Sequence, residues 1–142
     1  MIDYYLETLY ENDFTRIEWS KELAFIQLTF RQHPDLERFQ NSYRLAIDTA
    51  LRKDAHYWLT DAQKIKSMLP ENQAWLVQNM MPLLKSNQIR KFAIVMAPEC
   101  FVMTSPNKVY ERSNPNNEAT STGSIKVHFD LEAANNWLWS EQ

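Results

Sequence analysis

The spacing of apolar residues changes along this sequence from a period of about two to a period of about 3.6. Near the start, three short runs rich in aromatic and branched residues are separated by the polar triplets END and SKE. Short runs of this composition, with turn-forming residues between them, are typical of β-strands. The sequence therefore predicts a meander of three strands, at residues 4–10, 14–19 and 23–30.

After residue 33 the sequence alternates between helical and strand patterns. Residues 33–54 have a helical period, and their apolar stripe consists of Leu36, Phe39, Tyr43, Ala46 and Ala50. Residues 55–60 are apolar on both alternating faces, which predicts a central strand covered on both sides. A second helix begins at Pro70, and Pro82 inside it predicts a kink or a restart because proline lacks an amide proton.

The last third of the sequence continues this alternation. Residues 91–97 predict a second buried strand, and residues 98–113 predict a helix in two pieces, broken before Pro106. Residues 114–123 have no apolar side chain larger than alanine, so they predict a flexible polar loop. Residues 124–129 alternate between apolar and polar side chains, which is typical of a strand with one wet face, as at the edge of a sheet.

A short closing helix completes the order of elements as β-β-β-α-β-α-β-α-β-α. It begins at Asp130, whose carboxylate is a good cap. A chain of 142 residues fits one domain, so residues 1–142 are predicted to form a single α/β domain. We expect a mixed sheet of about six strands, with the antiparallel meander first, the later strands parallel, and four helices packed on it through right-handed crossovers.

Composition excludes several classes of function. A net charge of −3 without a basic cluster argues against nucleic-acid binding. Gly123 is the only glycine, which excludes both a P-loop and a dinucleotide-binding loop. Cys100 is the only cysteine, so neither an internal disulfide nor a cysteine-based zinc cluster can form. With no apolar run of about 18–20 residues and no signal-peptide pattern, we expect a soluble, cytoplasmic protein without a membrane span.

Asp61, at the end of the first central strand, is the leading candidate for chemistry. It could act as a general acid or base or bind magnesium, but the favoured interpretation is a turn aspartate that hydrogen-bonds the backbone of residues 62–64. His56 and His128 fall on predicted strands, where structural roles are commoner than a shared metal. Cys100 follows a strand end, where a nucleophile could lie, although its apolar neighbours favour burial.

Aromatic side chains are a second candidate feature, because tryptophan rings can stack a ligand. Four of the five tryptophans fall at positions predicted to face the core: Trp19, Trp58, Trp75 and Trp137. Trp139 cannot share a helix face with Trp137, so one of these two rings is predicted to be exposed or to meet a partner.

The order of four motifs resembles the STAS superfamily, the fold of the bacterial anti-sigma-factor antagonists. The motifs are WLTD ending at Asp61, PENQAWL from Pro70, MPLLKSNQIRKFAIV at residues 81–95, and VHFDLEAANNWL at residues 127–138. The chain is most similar to uncharacterised STAS-like proteins, whose closing motif it matches at Phe129, Ala133 or Ala134, Trp137 and Leu138.

The resemblance implies a regulatory protein whose partners dock on the loop after the Asp-ended strand. The residues expected to bind a partner are Asp61, Lys64, Ser67, Glu71 and Asn72. In the antagonists, a phosphorylated Ser or Thr at the start of the next helix switches this docking. Here the helix starts with Leu69, Pro70 and Glu71, and Ser67 is the nearest hydroxyl, so the switch is predicted to be missing or its charge permanent.

Three functional classes follow from these patterns. The first is a non-catalytic interaction module without a cofactor, and the second is a small-molecule or lipid carrier with an apolar pocket near Pro82 and residues 98–113. The third, ranked last, is an enzyme that uses Asp61, Cys100 and a histidine. A homodimer through residues 124–129 or Trp139 is a further hypothesis.

Overall fold

Six strands form one mixed sheet, and their order in space is their order along the chain. The computed structural model describes residues 4–103 and 124–140. The strands are β1 (Glu7–Glu11), β2 (Thr15–Ser20), β3 (Phe25–Phe30), β4 (Tyr57–Ala62), β5 (Lys91–Met96) and β6 (Ser124–His128). The first three pair antiparallel and the last four pair parallel. This arrangement confirms the predicted α/β fold with its antiparallel meander and parallel later half.

Four helices are described beside the sheet, as the sequence predicts. They are α1 (Leu36–Lys53), α2 (Pro70–Lys85), α3 (Pro98–Met103) and α4 (Leu131–Leu138). The first piece of the predicted two-part helix corresponds to α3. Its second piece after Pro106 and the polar loop at residues 114–123 lie outside the described residues.

Local chemistry fixes both ends of α1. Asp35 is the N-cap, and its Oδ1 accepts a hydrogen bond from the amide of Arg38 at 2.8 Å. Asp54 ends the helix with a left-handed φ of 61°, and its amide donates to the last carbonyls. Four residues of the predicted stripe are buried, whereas Leu36, the first residue of the helix, is 38% exposed.

Pro82 does not restart α2, which continues from Pro70 to Lys85. Proline at position 82 removes the donor to the carbonyl of Gln78, one turn earlier. Because Gln78 is exposed, water can replace that donor. The amide of Ser86 donates to the Pro82 carbonyl at 3.1 Å, so the final turn closes normally. Of the two alternatives predicted for Pro82, a kink or a restart, the continuous helix excludes the restart and leaves the kink.

The two faces of the sheet have different covers. We call the face under α1 and α2 the front face and the face under α4 the back face. On β4, Trp58 and Ala62 belong to the front-face core, and Leu59 belongs to the smaller back-face core with Ala134 of α4. Because side chains alternate along a strand, Asp61 lies on the back face with Leu59.

Hydrogen bonds between three buried side chains link β4 to α1 inside the front-face core. Thr60 Oγ1 accepts hydrogen bonds from Trp58 Nε1 at 2.8 Å and from the Tyr43 hydroxyl at 2.9 Å. The rings of Tyr43 and Trp58 are stacked with centroids 6.0 Å apart. Each buried donor therefore has an acceptor, which removes the penalty of burying it alone.

The two tryptophans at the end of the chain both pack on the chain's own residues. Helix α4 ends at Leu138, and Trp139 is its C-cap with a non-helical backbone. The Trp139 ring can therefore turn onto Phe25, with centroids 5.3 Å apart, and onto Tyr57 at 5.1 Å. Trp137 contacts the His128 ring at 5.5 Å. Neither ring is fully exposed, since the prediction treated both residues as helical, and contact of either ring with a partner stays a prediction.

Strand β6 lies at one edge of the sheet, as predicted. The expected alternation holds for Ile125, which is buried, and for Lys126, which is exposed. It fails at the end of the strand, where His128 is buried and Phe129 is 47% exposed. His128 is the last residue of the strand and is covered by the Trp137 ring of α4, whereas Phe129 follows the strand, where the chain turns toward the cap of α4 at Asp130.

Candidate functional site

Asp61 is the last residue but one of β4, and its side chain shapes the turn that follows. Its Oδ1 accepts hydrogen bonds from the backbone amide of Gln63 at 3.2 Å and from Gln63 Nε2 at 3.0 Å. This is the backbone-bonding role that the sequence favoured, since a short carboxylate readily bonds an amide two residues on. The carboxylate helps to end β4 and to start the loop that leads to α2.

The five residues predicted to bind a partner do not form one cluster. Asp61 lies on the back face, whereas the loop after it crosses to the front, where Ile65 and Met68 enter the core. Lys64, Ser67 and Glu71 are exposed around the start of α2. Asn72 is only 7% exposed, so it is not presented on the surface as the prediction required.

Backbone geometry alone starts α2. Leu69 is the N-cap, it makes no side-chain cap hydrogen bond, and Pro70 occupies the first helical turn. The amides of Asn72 and Gln73 both donate to the Leu69 carbonyl, at 2.9 and 3.0 Å. Glu71 places a negative charge in the first turn, which the helix dipole favours.

A hydrogen bond between two loops holds this region together. The amide of Lys66 donates to His33 Nδ1 at 3.0 Å, which joins the loop between β4 and α2 to the loop between β3 and α1. Because Nδ1 accepts, the neutral imidazole carries its proton on Nε2. Sequence reasoning missed His33. The signal available was the predicted strand–helix–strand order from β3 through α1 to β4, because such a crossover makes two strands parallel and brings the loops after their carboxyl ends together.

A cavity of about 290 Å³ lies between these two loops, and we call it the loop cavity. Its buried wall is apolar and consists of Phe39, Ile65 and Met68. Two exposed leucines, Leu36 and Leu69, stand at its rim, one from each side. The remaining lining residues are Pro34 and four polar ones, His33, Asp35, Ser67 and Asn72.

Two buried amide side chains at the start of α2 are incompletely hydrogen-bonded. Asn72 Oδ1 and Gln73 Oε1 are both buried and have no hydrogen-bond partner. Gln73 is anchored at its other end, where Nε2 donates to the Met68 carbonyl at 3.2 Å. A buried carbonyl without a donor costs about 1–3 kcal/mol, so two at one helix start call for an explanation.

The other chemical candidates are separated from the loop cavity. Cys100 is 1% exposed within the front-face core, which confirms its predicted burial. His56 lies just before β4, and its Nδ1 is 3.0 Å from the Gln88 carbonyl, whereas His128 ends β6, at the opposite end of the parallel strands. Burial lowers the pKa of His128, as does Lys126, while Asp130 opposes them. In the described part of the chain, no three metal-binding side chains cluster.

Lys91, at the first position of β5, makes a buried charged contact that the sequence did not reveal. Its Nζ donates to the carbonyls of Trp137 at 2.7 Å, Ser140 at 3.2 Å and Leu138 at 3.4 Å. It also lies 5.2 Å from the Trp137 ring centroid. A cation is favoured at a helix C-terminus, so Lys91 fastens the end of α4 to the sheet. Burial lowers the pKa of this ammonium group.

Comparison with known proteins identifies no relative of this chain. No protein-family model matches the sequence, and no curated protein or solved structure is significantly similar to it. Among the described residues, no helix has the length and apolar character needed to cross a membrane. The geometry of the chain itself is therefore the basis for proposing a function.

Proposed function

We propose that this chain is a non-catalytic regulatory module of the STAS type that binds a protein partner at the start of α2. The order of motifs that resembles the superfamily coincides with a mixed sheet whose later strands are parallel, as that resemblance implies. The loop after Asp61 leads directly to an exposed helix start. The partner surface consists of Lys64, Ser67, Leu69 and Glu71.

The observation that carries this proposal is the exposure of Leu69 among polar residues. Leu69 is 50% exposed, and the exposed residues Lys64, Ser67 and Glu71 stand near it along the chain. A central apolar residue with a polar rim is the usual anatomy of a protein interface. Exposing a large apolar side chain is also unfavourable in isolation, so an occupant that covers Leu69 gains apolar burial.

A non-catalytic role agrees with the structural contacts of the candidate residues. Asp61 accepts two hydrogen bonds from Gln63 that shape the turn. Cys100 lies inside the front-face core, away from any substrate in solution. Ser67 precedes the N-cap Leu69 by two residues, and Glu71 supplies a constant negative charge in the first turn. We therefore propose docking without a phosphorylated serine.

The proposal is tested by changing the surface and following one partner quantitatively. The variants are Leu69→Asp and the double charge reversal Lys64→Glu with Glu71→Lys, and the control is Lys85→Glu at the far end of α2. Proteins captured from the native cell by each tagged variant are quantified by mass spectrometry. Hydrogen exchange with the purified partner then maps its contact.

We expect one partner to be lost with the surface variants, retained with Lys85→Glu, and to protect residues 64–72 from exchange. Removing a central interface anchor typically costs 2 kcal/mol or more, so recovery should fall at least about tenfold. Equal recovery with all variants, or protection at another surface, would show that this surface does not dock the partner.

A small-molecule or lipid carrier is the second candidate, and the loop cavity favours it. This cavity of about 290 Å³ lies between the β3–α1 and β4–α2 loops and not along α2 near Pro82, where the sequence pattern placed a pocket. Native mass spectrometry of gently purified protein separates the candidates, because a carrier retains a bound mass and a docking module does not.

A homodimer through the edge strand β6 remains a proposal, which light scattering tests.

A further inference from the structure

The unpartnered carbonyl of Asn72 points to the kind of ligand that the loop cavity accepts. Asn72 lines the cavity, is 7% exposed, and its Oδ1 is a buried acceptor without a donor. The helix start does not need this acceptor, because the first-turn amides of Asn72 and Gln73 already donate to the Leu69 carbonyl. An acceptor kept at this position is suited to an O–H or N–H group from outside the protein.

Charge near the cavity disfavours an anionic ligand. Glu71 lies beside Asn72 in the first turn of α2, and Asp35 lines the cavity. Asp35 is also not available to pair with a cationic ligand. Its two carboxylate oxygens already accept hydrogen bonds from the amide and the guanidinium of Arg38, each at 2.8 Å. A neutral ligand is not repelled by the Glu71 carboxylate and does not compete with Arg38 for the Asp35 carboxylate.

Size and wall chemistry narrow the ligand further. The volume of about 290 Å³ is near the lower end for small-molecule sites. The buried wall of Phe39, Ile65 and Met68 is apolar, whereas Ser67 and His33 bring donors to the same cavity. A hydroxyl group both donates and accepts, so it can satisfy Asn72 Oδ1 and accept from Ser67 or from His33 Nε2.

We infer that the loop cavity binds a small neutral alcohol, with its apolar chain against Phe39 and Met68 and its hydroxyl hydrogen donated to Asn72 Oδ1. Because Asn72 Oδ1 is buried, the amide must turn about its terminal torsion, which has a broad energy minimum, to accept from the ligand. A bound alcohol then supplies Asn72 Oδ1 with the donor that it lacks. This inference does not depend on the proposed protein docking, because a partner can cover Leu69 without filling the cavity.

The test compares two isomers, of which only one has a hydroxyl hydrogen. Hexan-1-ol and 1-methoxypentane have the same atoms, but only the alcohol can donate a hydrogen bond. Each is titrated into the full-length protein, and binding is followed by amide chemical shifts of residues 65–73 in NMR spectra. Hexanoate serves as the anionic probe.

We expect hexan-1-ol to bind at least about tenfold more tightly than the ether and than hexanoate, because a buried carbonyl left unpaired penalises the ether. In Asn72→Leu this preference for the alcohol over the ether should fall to about onefold, while the melting temperature stays the same or rises. Thr29→Val is the matched control, since it removes another buried oxygen without a partner, on a residue that does not line the cavity. It should keep the preference.

Two outcomes overturn the inference. One is equal binding of alcohol and ether, or no saturable shifts with either, to wild-type protein. The other is an unchanged preference in Asn72→Leu. If the leucine variant does not fold, Asn72→Ala repeats the test with a smaller side chain, and retention of the preference there has the same meaning.

Discussion

The two ends of the parallel strands differ in how fully their polar groups are paired. At the end where β4 and β5 begin, Gln88 Nε2 donates to Asp54 Oδ1 at 3.0 Å and to the Ala55 carbonyl at 2.9 Å. Lys91 there donates to the end of α4. Within the described residues, the four buried side-chain atoms without partners lie at or beyond the opposite end, on Thr29, Asn72, Gln73 and His128.

This difference separates structural from functional use of polar residues. At the end where β4 and β5 begin, polar side chains hydrogen-bond helices and loops to the sheet, which stabilises the fold. The other end leaves acceptors unpaired at a cost in stability, and proteins depart from hydrogen-bonding rules mainly at functional sites. The loop cavity and the proposed docking surface lie at this second end.

The largest effect is expected at the fully paired end, from Lys91→Met. Methionine keeps the unbranched stem but leaves the carbonyls of Trp137 and Ser140 without their charged donor. Hydrogen bonds to a charged group each contribute up to about 3 kcal/mol, partly offset here by the cost of burying the charge. We expect a loss of about 2 kcal/mol in the free energy of unfolding, measured by urea denaturation.

Lys126→Met is the control for this substitution, because Lys126 lies on the neighbouring strand β6 and is exposed. Its stability should change by less than about 0.5 kcal/mol. Equal losses in the two variants would mean that Lys91 does not fasten α4.

A smaller effect of opposite sign is expected at the unpaired end, from Thr29→Val. Valine has nearly the shape of threonine and removes the buried Oγ1 that lacks a partner. Protein stability should rise by about 1 kcal/mol, because burying an unpaired hydroxyl costs about that much or more. Urea denaturation of both forms measures the change.

Thr60→Val is the matched control, since Thr60 Oγ1 accepts from Trp58 and Tyr43 in the front-face core. The same chemical change there should lower stability, because the Trp58 N–H loses its acceptor. If both valine variants lost stability equally, the contrast between paired and unpaired positions would not hold.

The smallest effect concerns pH and His128. Burial, then Lys126, lowers the pKa of His128 below its ordinary value of 6.5, against the opposing charge of Asp130. Between these two pKa values the unfolded chain binds a proton that the folded chain does not, so stability falls as pH falls through this window and levels off below it. Thermal melts from pH 4 to 8 measure this slope.

His128→Phe should reduce the pH slope, because phenylalanine cannot titrate. Lys126→Gln should narrow the pH range between the folded and unfolded pKa values of His128, since it removes one cause of the lowered pKa. A slope in His128→Phe equal to that of the wild type would assign the pH dependence to other groups.

The sequence predicted most of the fold because strands and helices are encoded by local periodicity. The stripe through Phe39, Tyr43 and Ala50 and the apolar run at residues 91–97 needed no tertiary information. Errors arose where elements end. Trp139 was treated as helical although α4 stops at Leu138, and Phe129 was treated as part of a strand that stops at His128.

The candidate site was less predictable because it depends on which face each residue occupies. Asp61 and Asn72 are close in sequence, but strand alternation puts Asp61 on the back face while the loop carries Asn72 to the front. The bond between His33 and Lys66 joins residues 33 positions apart. Such a contact follows from the pairing of β3 with β4, which a single sequence does not specify residue by residue.

The sequential order of the strands has a consequence for how the sheet can assemble. Each strand pairs with the one that precedes it in the chain, so a growing polypeptide always offers a finished neighbour to the next strand. The hydroxyl of Tyr4 donates to the amide oxygen of Asn135 at 2.8 Å, which joins residues 131 positions apart. This hydrogen bond can form only after α4 has been synthesised.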